Sequence, residues 1–223
     1  MSNRVWSYPK CGRTWLKAAF GKLYTIQTNE PDEMVLERFD RIASFSHDIG
    51  AVKERDANLF IIRDPKDVVV SLYFQNKYRN RRMGKMGSMS DYVRSGNWKH
   101  KGPIHDAIFF FEMGFKCPGS KVVRYEDFIV DFNHELKQIL DFFSVKYTES
   151  EIKETVEWCR FDNLQRMASQ GEMKLEATDP TDLDNPESFK FRVGKVGGYV
   201  NYLSEDDIDY IEEIYKTREF SYE

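Results

Sequence analysis

Tyr8-Pro9-Lys10-Cys11-Gly12-Arg13-Thr14-Trp15 stands between a short apolar run, residues 5–8, and a stretch with apolar residues at Trp15, Leu16, Ala19, Phe20, Leu23 and Tyr24. That spacing predicts a helix over 14–24, and the run before it reads as a strand. A strand that turns through Pro9 and Gly12 into a helix presents unpaired backbone N–H groups at the positive end of the helix dipole. Such a turn favours an anion. Lys10 adds a full positive charge, Thr14 a hydroxyl donor, and Trp15 a flat face on which an aromatic base can stack. The octapeptide is therefore expected to hold a nucleotide phosphate or a sulfate. It is not a Gly-x-x-x-x-Gly-Lys-Ser/Thr loop, because Lys10 precedes Gly12 rather than following a second glycine.

Outward from this turn, strand and helix signals alternate. Residues 41–46 (Arg-Ile-Ala-Ser-Phe-Ser) alternate like a strand and end at His47. Residues 58–63 contain Leu-Phe-Ile-Ile, a short buried-strand run. Asp64 then reads as an N-cap with Pro65 at the first helical position. Helices are expected over 103–115, 127–143, 149–160 and 205–218, with a third core strand at 121–125. This order predicts an α/β fold, a mostly parallel central sheet flanked by helices, in one domain over residues 1–223. Residues 77–102 and 171–198 are the longest irregular stretches, the usual places for lids. Phe109, Phe110, Phe111 and Phe115 are expected in the core. The basic run from Lys77 to Lys85 reads as a solvated helix end or as part of a lid that attracts an anionic acceptor.

Composition bounds the function. A net charge of −4 over 223 residues argues against a nucleic-acid binder with a broad basic surface, so an anionic ligand needs a local basic pocket. Three dispersed cysteines without a CxxC pair argue against a zinc site or disulfide framework and fit a reducing compartment. No signal-peptide pattern and no membrane-length apolar run is seen, so a cytoplasmic protein without a metal is expected.

Two further stretches carry chemistry. In Arg63-Asp64-Pro65-Lys66-Asp67-Val68-Val69-Val70-Ser71, Arg63 sits where a core strand ends, at the rim where open α/β sheets bind ligands. Ser71 follows about two turns into the next helix, and a guanidinium with a hydroxyl suits a phosphate. Phe191-Arg192-Val193-Gly194-Lys195-Val196-Gly197-Gly198-Tyr199 is basic and glycine-rich, a composition that lets backbone approach an anion closely.

Taken in order, the three stretches resemble the sulfotransferase family that uses 3′-phosphoadenosine 5′-phosphosulfate (PAPS). The family's Tyr-Pro-Lys-Ser-Gly-Thr-Thr-Trp loop is matched from Tyr8 to Trp15, with Cys11 and Arg13 in place of Ser and Thr. Its Arg-x-Pro-Lys-Asp-x-x-x-Ser segment is matched at Arg63, Pro65, Lys66, Asp67 and Ser71. The late Arg-Lys-Gly-x-x-Gly loop is matched at Arg192, Gly194 and Gly197, with Val193 in place of Lys. Arg124-Tyr125-Glu126-Asp127 is similar to the family's Tyr-Glu-Asp strand end, and Cys159-Arg160-Phe161 with Leu164 takes the place of a Thr/Ser-Ser-Phe-x-x-Met segment. The likeness spans about residues 4–200.

The resemblance implies a P-loop-like nucleotide-binding fold and transfer of a sulfuryl group to a hydroxyl or amine of a small-molecule, lipid or carbohydrate acceptor. PAPS would be the co-substrate and 3′,5′-bisphosphorylated adenosine (PAP) the product. It implies that Lys10 stabilises the leaving oxygen, and that Thr14 and the N–H groups of residues 11–14 hold the 5′-phosphate. Arg63, Ser71 and Arg192, with Val193 and Gly194, would hold the 3′-phosphate. Tyr125 would lie near the adenine, which Trp15 and Phe161 would sandwich. His47 follows a strand where many members carry a basic Lys-Thr-His segment, although Phe45 stands at the Lys position. His47 is the expected base, and Asp48 is the alternative. The family's dimer motif is not found over 199–213, so dimerisation by that route is not expected. The chain begins close to its first strand, and a more open acceptor pocket is expected for that reason. Competing classes are a PAP-binding protein that has lost transfer, and a small-molecule kinase.

Overall fold

The computed structural model describes residues 2–80, 87–96, 102–172, 181–192 and 194–222. Four parallel strands, β1 (Asn3–Ser7), β2 (Ser44–Ser46), β3 (Ala57–Ile62) and β4 (Lys121–Arg124), form one sheet in the order β2-β1-β3-β4. The register pairs Trp6 with Ser46 on one side of β1 and with Phe60 on the other. β3 is buried from Asn58 to Ile62, which explains its unbroken apolar run. Its one polar member, Asn58, accepts from Trp6 Nε1 at 2.7 Å and donates to the Lys53 and Asp56 carbonyls.

Helices α1 (Arg13–Thr28), α2 (Val35–Arg38), α3 (Pro65–Phe74), α4 (Met89–Val93), α5 (Pro103–Lys116), α6 (Tyr125–Phe142), α7 (Glu149–Trp158), α8 (Phe161–Ser169) and α9 (Glu205–Thr217) cover the sheet. α1 packs against α2 and α7, and α3 against α5. α1 runs a turn beyond its apolar pattern because Thr25 is buried with its hydroxyl on the Lys22 carbonyl, and it stops where Asn29 turns left-handed at φ 55°. Asp64 caps α3 as expected, accepting from Lys66 N at 2.8 Å.

Several expectations are corrected. The strand expected over 41–46 shrinks to three residues, because Phe39–Arg41 forms a helical turn and β2 pairs only with Arg4 to Trp6. Phe109 and Phe115 are 52% and 49% exposed, whereas Phe110 and Phe111 are buried. The 3.6-residue period turns Ile104, Ala107, Ile108 and Phe111 inward and rotates Phe109 out. α8 was not anticipated as a helix. The start of the basic run, Lys77 to Arg79, lies in a π-helical turn (Gln75–Arg79) that extends α3. Residues 81–86, and residues 173–180 of the late polar loop, lie outside the described residues. α6 kinks at Asp131 (φ −152°), whose carboxylate accepts from His134 N and so caps a second helical segment.

Candidate active site

Strand order reverses between β1 and β3, since the chain leaves β1 for β2 on one side and continues from β3 to β4 on the other. Open parallel sheets bind ligands in the crevice beyond the carboxyl ends of strands at such a point. A cavity of about 450 Å³ lies there.

Its floor is the β1–α1 turn. Lys10 holds a left-handed φ of 74°, uncommon for a side-chain-bearing residue, and Gly12 follows at φ 92°. Only glycine fits at 12, since a Cβ there would stand 2.7 Å from the Tyr125 ring. The first amide with a helical partner is that of Trp15, bonded to the Gly12 carbonyl at 2.9 Å. The N–H groups of residues 11–14 precede it, as at any helix start. Arg63, at the end of β3, donates to the Lys10 carbonyl at 3.2 Å and so fixes the turn against the next strand.

Lys10, Gly12, Arg13, Thr14, Trp15 and His47 line the cavity together with Arg63, Ser71, Tyr125, Phe161, Arg192 and Gly194, which come from elements far apart in sequence. Two sequence candidates among the described residues do not contribute a side chain, and a third is not described. The Cys11 thiol is fully buried, faces the Pro9 carbonyl at 3.9 Å and is pushed up by burial. Asp48 does not line the cavity and instead accepts from Gly50 N at 3.0 Å. Val193 lies outside the described residues.

The arginines are held from behind. Arg63 lies 4.3 Å over the Tyr125 ring, pairs with Asp67 at 3.8 Å and donates to the Lys195 carbonyl at 3.2 Å. Arg192 pairs with Glu187 at 2.9 Å and lies over the Phe74 and Tyr202 rings. The Nε of each is buried with no partner among the described residues, as is the Trp15 Nε1. Lys66, although part of the matched segment, turns away to Glu212 and the rings of Tyr199 and Tyr215.

His47 follows β2 beside the end of β1, and its Nδ1 bonds to the Ser7 carbonyl. A carbonyl only accepts, so Nδ1 carries the proton and Nε2 keeps its lone pair. Desolvation, then Arg13, Lys190 and Lys17, push this imidazole down to about 4, against a smaller opposing effect of the Ser7 hydrogen bond. Lys10 is held well below the ordinary lysine range by burial and by Lys190, Arg63, Arg79 and Arg192. Lys190 is pushed down to about 8 by burial and by Arg79, Arg13 and Lys17. A protein with net charge −4 thus gathers cations round one cavity, whose only lining carboxylate among the described residues is Asp67. Each cation disfavours the charge of the others until an anion arrives.

Gln75, Lys190, Asn201 and Tyr202 line the cavity but escaped sequence reasoning. Lys190 alternates with Arg192 across Phe191, so an extended chain points both the same way, and that alternation was its available signal. Gln75 gave none. The π turn after α3 brings its amide oxygen to the ammonium groups of both Lys10 (3.2 Å) and Lys190 (3.5 Å). Among the described residues, no cluster of His, Cys, Asp and Glu could hold a metal ion, and no helix is long and apolar enough to cross a membrane.

Comparison with known proteins bears on this geometry. The sulfotransferase domain model matches residues 51–221. Cytosolic sulfotransferase 17 of Arabidopsis thaliana is 26% identical over 247 residues, covering 90% of this chain and 69% of that protein. Sulfotransferase 6B1 of Danio rerio is 24% identical over 245 residues, covering 95% and 76%. Among solved structures, a mouse sulfotransferase complexed with PAP superimposes with a TM-score of 0.68 at 18% identity, covering 97% of this chain and 83% of that one. A retinol dehydratase in complex with androsterone and PAP gives 0.67 at 14% identity, covering 97% and 80%. At these identities the structural likeness speaks for the fold.

Proposed function

The chain belongs to the sulfotransferase-domain family, and from that premise we propose that it transfers a sulfuryl group from PAPS to a hydroxyl or amine of a small-molecule, lipid or carbohydrate acceptor. The observation that carries this reading is the pair of buried arginine Nε atoms and the crowded, depressed lysines around one cavity at the sheet's switch point. A ligand with anionic groups at both ends and a flat base between them satisfies all of these groups together. The nucleotide would supply the sulfuryl group and leave as PAP, and no covalent intermediate on the protein is needed.

The roles follow from position. Arg63, Ser71 and Arg192 hold the 3′-phosphate, with Gly194 allowing close approach. Gly194 has φ 61° and is packed so tightly on Phe161 that a Cβ would stand 2.6 Å from its ring. Trp15, Tyr125 and Phe161 enclose the adenine. Thr14 and the N–H groups of residues 11–14 hold the 5′-phosphate. Lys10 neutralises the phosphate oxygen as its bond to sulfur breaks, a charge-stabilising role as in phosphoryl transfer. His47 Nε2 takes the acceptor proton as the new bond to sulfur forms. Being depressed to about 4, His47 is neutral at pH 7 and free to accept. Negative charge brought into the cavity raises its basicity, so the base strengthens as the anionic cofactor binds.

Calorimetric titration with PAP and ATP, followed by transfer from labelled PAPS to an acceptor panel, tests the reading. Preference for ATP would sink it in favour of a kinase, and PAP binding without any product would leave a binding protein. Comparison of His47→Ala with Asp48→Ala decides the base: His47→Ala should lower kcat far more than it weakens PAP binding. A crippled Asp48→Ala beside an active His47→Ala would reverse the assignment.

A further inference from the structure

The cations of the cavity fall into two groups. Those assigned to the 3′-phosphate already have carboxylates, Asp67 for Arg63 and Glu187 for Arg192. Lys10, Arg13, Lys190 and Lys195 of the lining, and Lys17 beside it, have none within ion-pairing distance among the described residues; of these, Arg13, Lys17 and Lys190 act on His47. Arg13 and Lys17 are four residues apart on α1 and so share one face, an arrangement of like charges that costs a helix stability. Lys17 is carried 3.8 Å above the Phe39 ring and 5.3 Å from that of Phe45, with Asp40 acting on it only at longer range. Lys190 reaches only the amide oxygen of Gln75. Arg13 and Lys190 line the cavity together with His47, and all three cations act on its imidazole. Uncompensated charge therefore stands beside the expected base.

We propose that the acceptor is itself anionic, a small molecule whose carboxylate or equivalent group is held by Arg13, Lys17 and Lys190 while its hydroxyl or amine faces His47. This rests on the sulfuryl-transfer reading. Phe39 and Phe45 present apolar surface beneath Lys17 and do not compete for the charge. A neutral acceptor of the same shape leaves these cations desolvated without a partner, a loss that specific sites register strongly. The same cations facing the sulfuryl group alone would give the alternative source of negative charge, and the test separates the two.

The experiment saturates the enzyme with PAP and titrates 3-hydroxybenzoate against 3-hydroxybenzamide, which differ in one charge. The acid is expected to bind at least about tenfold more tightly, the size of a charge-assisted hydrogen bond. Lys17→Gln, with Lys190→Gln as a second variant, should remove most of that preference while affecting the amide far less. Equal affinity, preference for the amide, or no binding of either overturns the proposal. So does an equal loss for both ligands in the variants, which would mean that these cations do not read the acceptor's charge. Failure to bind PAP in the first step strikes the sulfuryl-transfer reading itself, whereas bound PAP without preference for the acid strikes only this inference.

Discussion

Two loops close the cavity from opposite sides, and they are held by different means. The turn from β1 to α1 is anchored by its own neighbours in sequence: a buried strand before it, a buried helix after it, and Cys11 in the core between. The segment from Gly194 to Asn201 has no regular element longer than one 3-10 turn. It hangs on side chains from β3 and α3. The Asp67 carboxylate accepts from Gly197 N at 2.8 Å and Tyr199 N at 3.0 Å, and Arg63 holds the Lys195 carbonyl. The first loop is thus held mostly by its sequence neighbours, with Arg63 on the Lys10 carbonyl as a long-range tie, and the other depends on residues some 130 positions upstream.

The largest effect expected falls on the local loop. Lys10→Ala should lower kcat by about 10²–10³-fold, the usual size for a lost charge-stabilising donor, with a melting temperature close to the parent. Steady-state kinetics checks this, and a nearly normal rate would remove Lys10 from the reaction. Asp67→Asn should then act on the other loop alone. Removing one charge from a buried pair costs about 3 kcal/mol, and hydrogen exchange should show residues 194–201 losing protection while residues 9–15 keep theirs. Equal loss in both would mean that the two loops are one unit.

Smaller effects sharpen the contrast. Gly12→Ala combines a left-handed backbone with a clash against Tyr125, for about 2–3 kcal/mol by chemical denaturation. Gly197→Ala meets nothing within 4 Å and should cost only the conformational part, about 1 kcal/mol. If the order is reversed, the first turn is the softer one. Least in size is the pH response. His47 is protonated as pH falls through about 4, so kcat/KM should decline on the acid side near there. The corresponding limb of kcat should lie higher, because the bound anion raises the imidazole. Superimposable limbs would remove the coupling between cofactor and base.

This difference between the loops also explains what was legible in the sequence. The β1–α1 turn, the cap at Asp64 and the buried run of β3 are local patterns, and each could be read directly. Lys10, Arg63 and His47 were found because strand ends in a parallel sheet converge on one edge. Asp67 was noticed as part of a motif, yet its task of receiving two amides from the late loop depends on a fold-level contact. Gln75 belongs to the same class, since no periodicity announces a π turn. Cys11 looked like a ligand contact because it stands between Lys10 and Gly12, which line the cavity, whereas its own thiol is buried in the core.

The kink of α6 at Asp131 sets Phe132 flat beneath Trp15, with ring centroids 4.6 Å apart and planes 23° from parallel. One face of the indole is therefore shielded by protein, and Trp15 also lines the cavity. A purine arriving there completes a three-ring stack and quenches an emission that bulk water barely reaches. The chain carries four tryptophans, so replacing Trp6, Trp98 and Trp158 by phenylalanine leaves Trp15 as the single fluorophore, whose intensity would report occupancy of the cavity in real time, without a label.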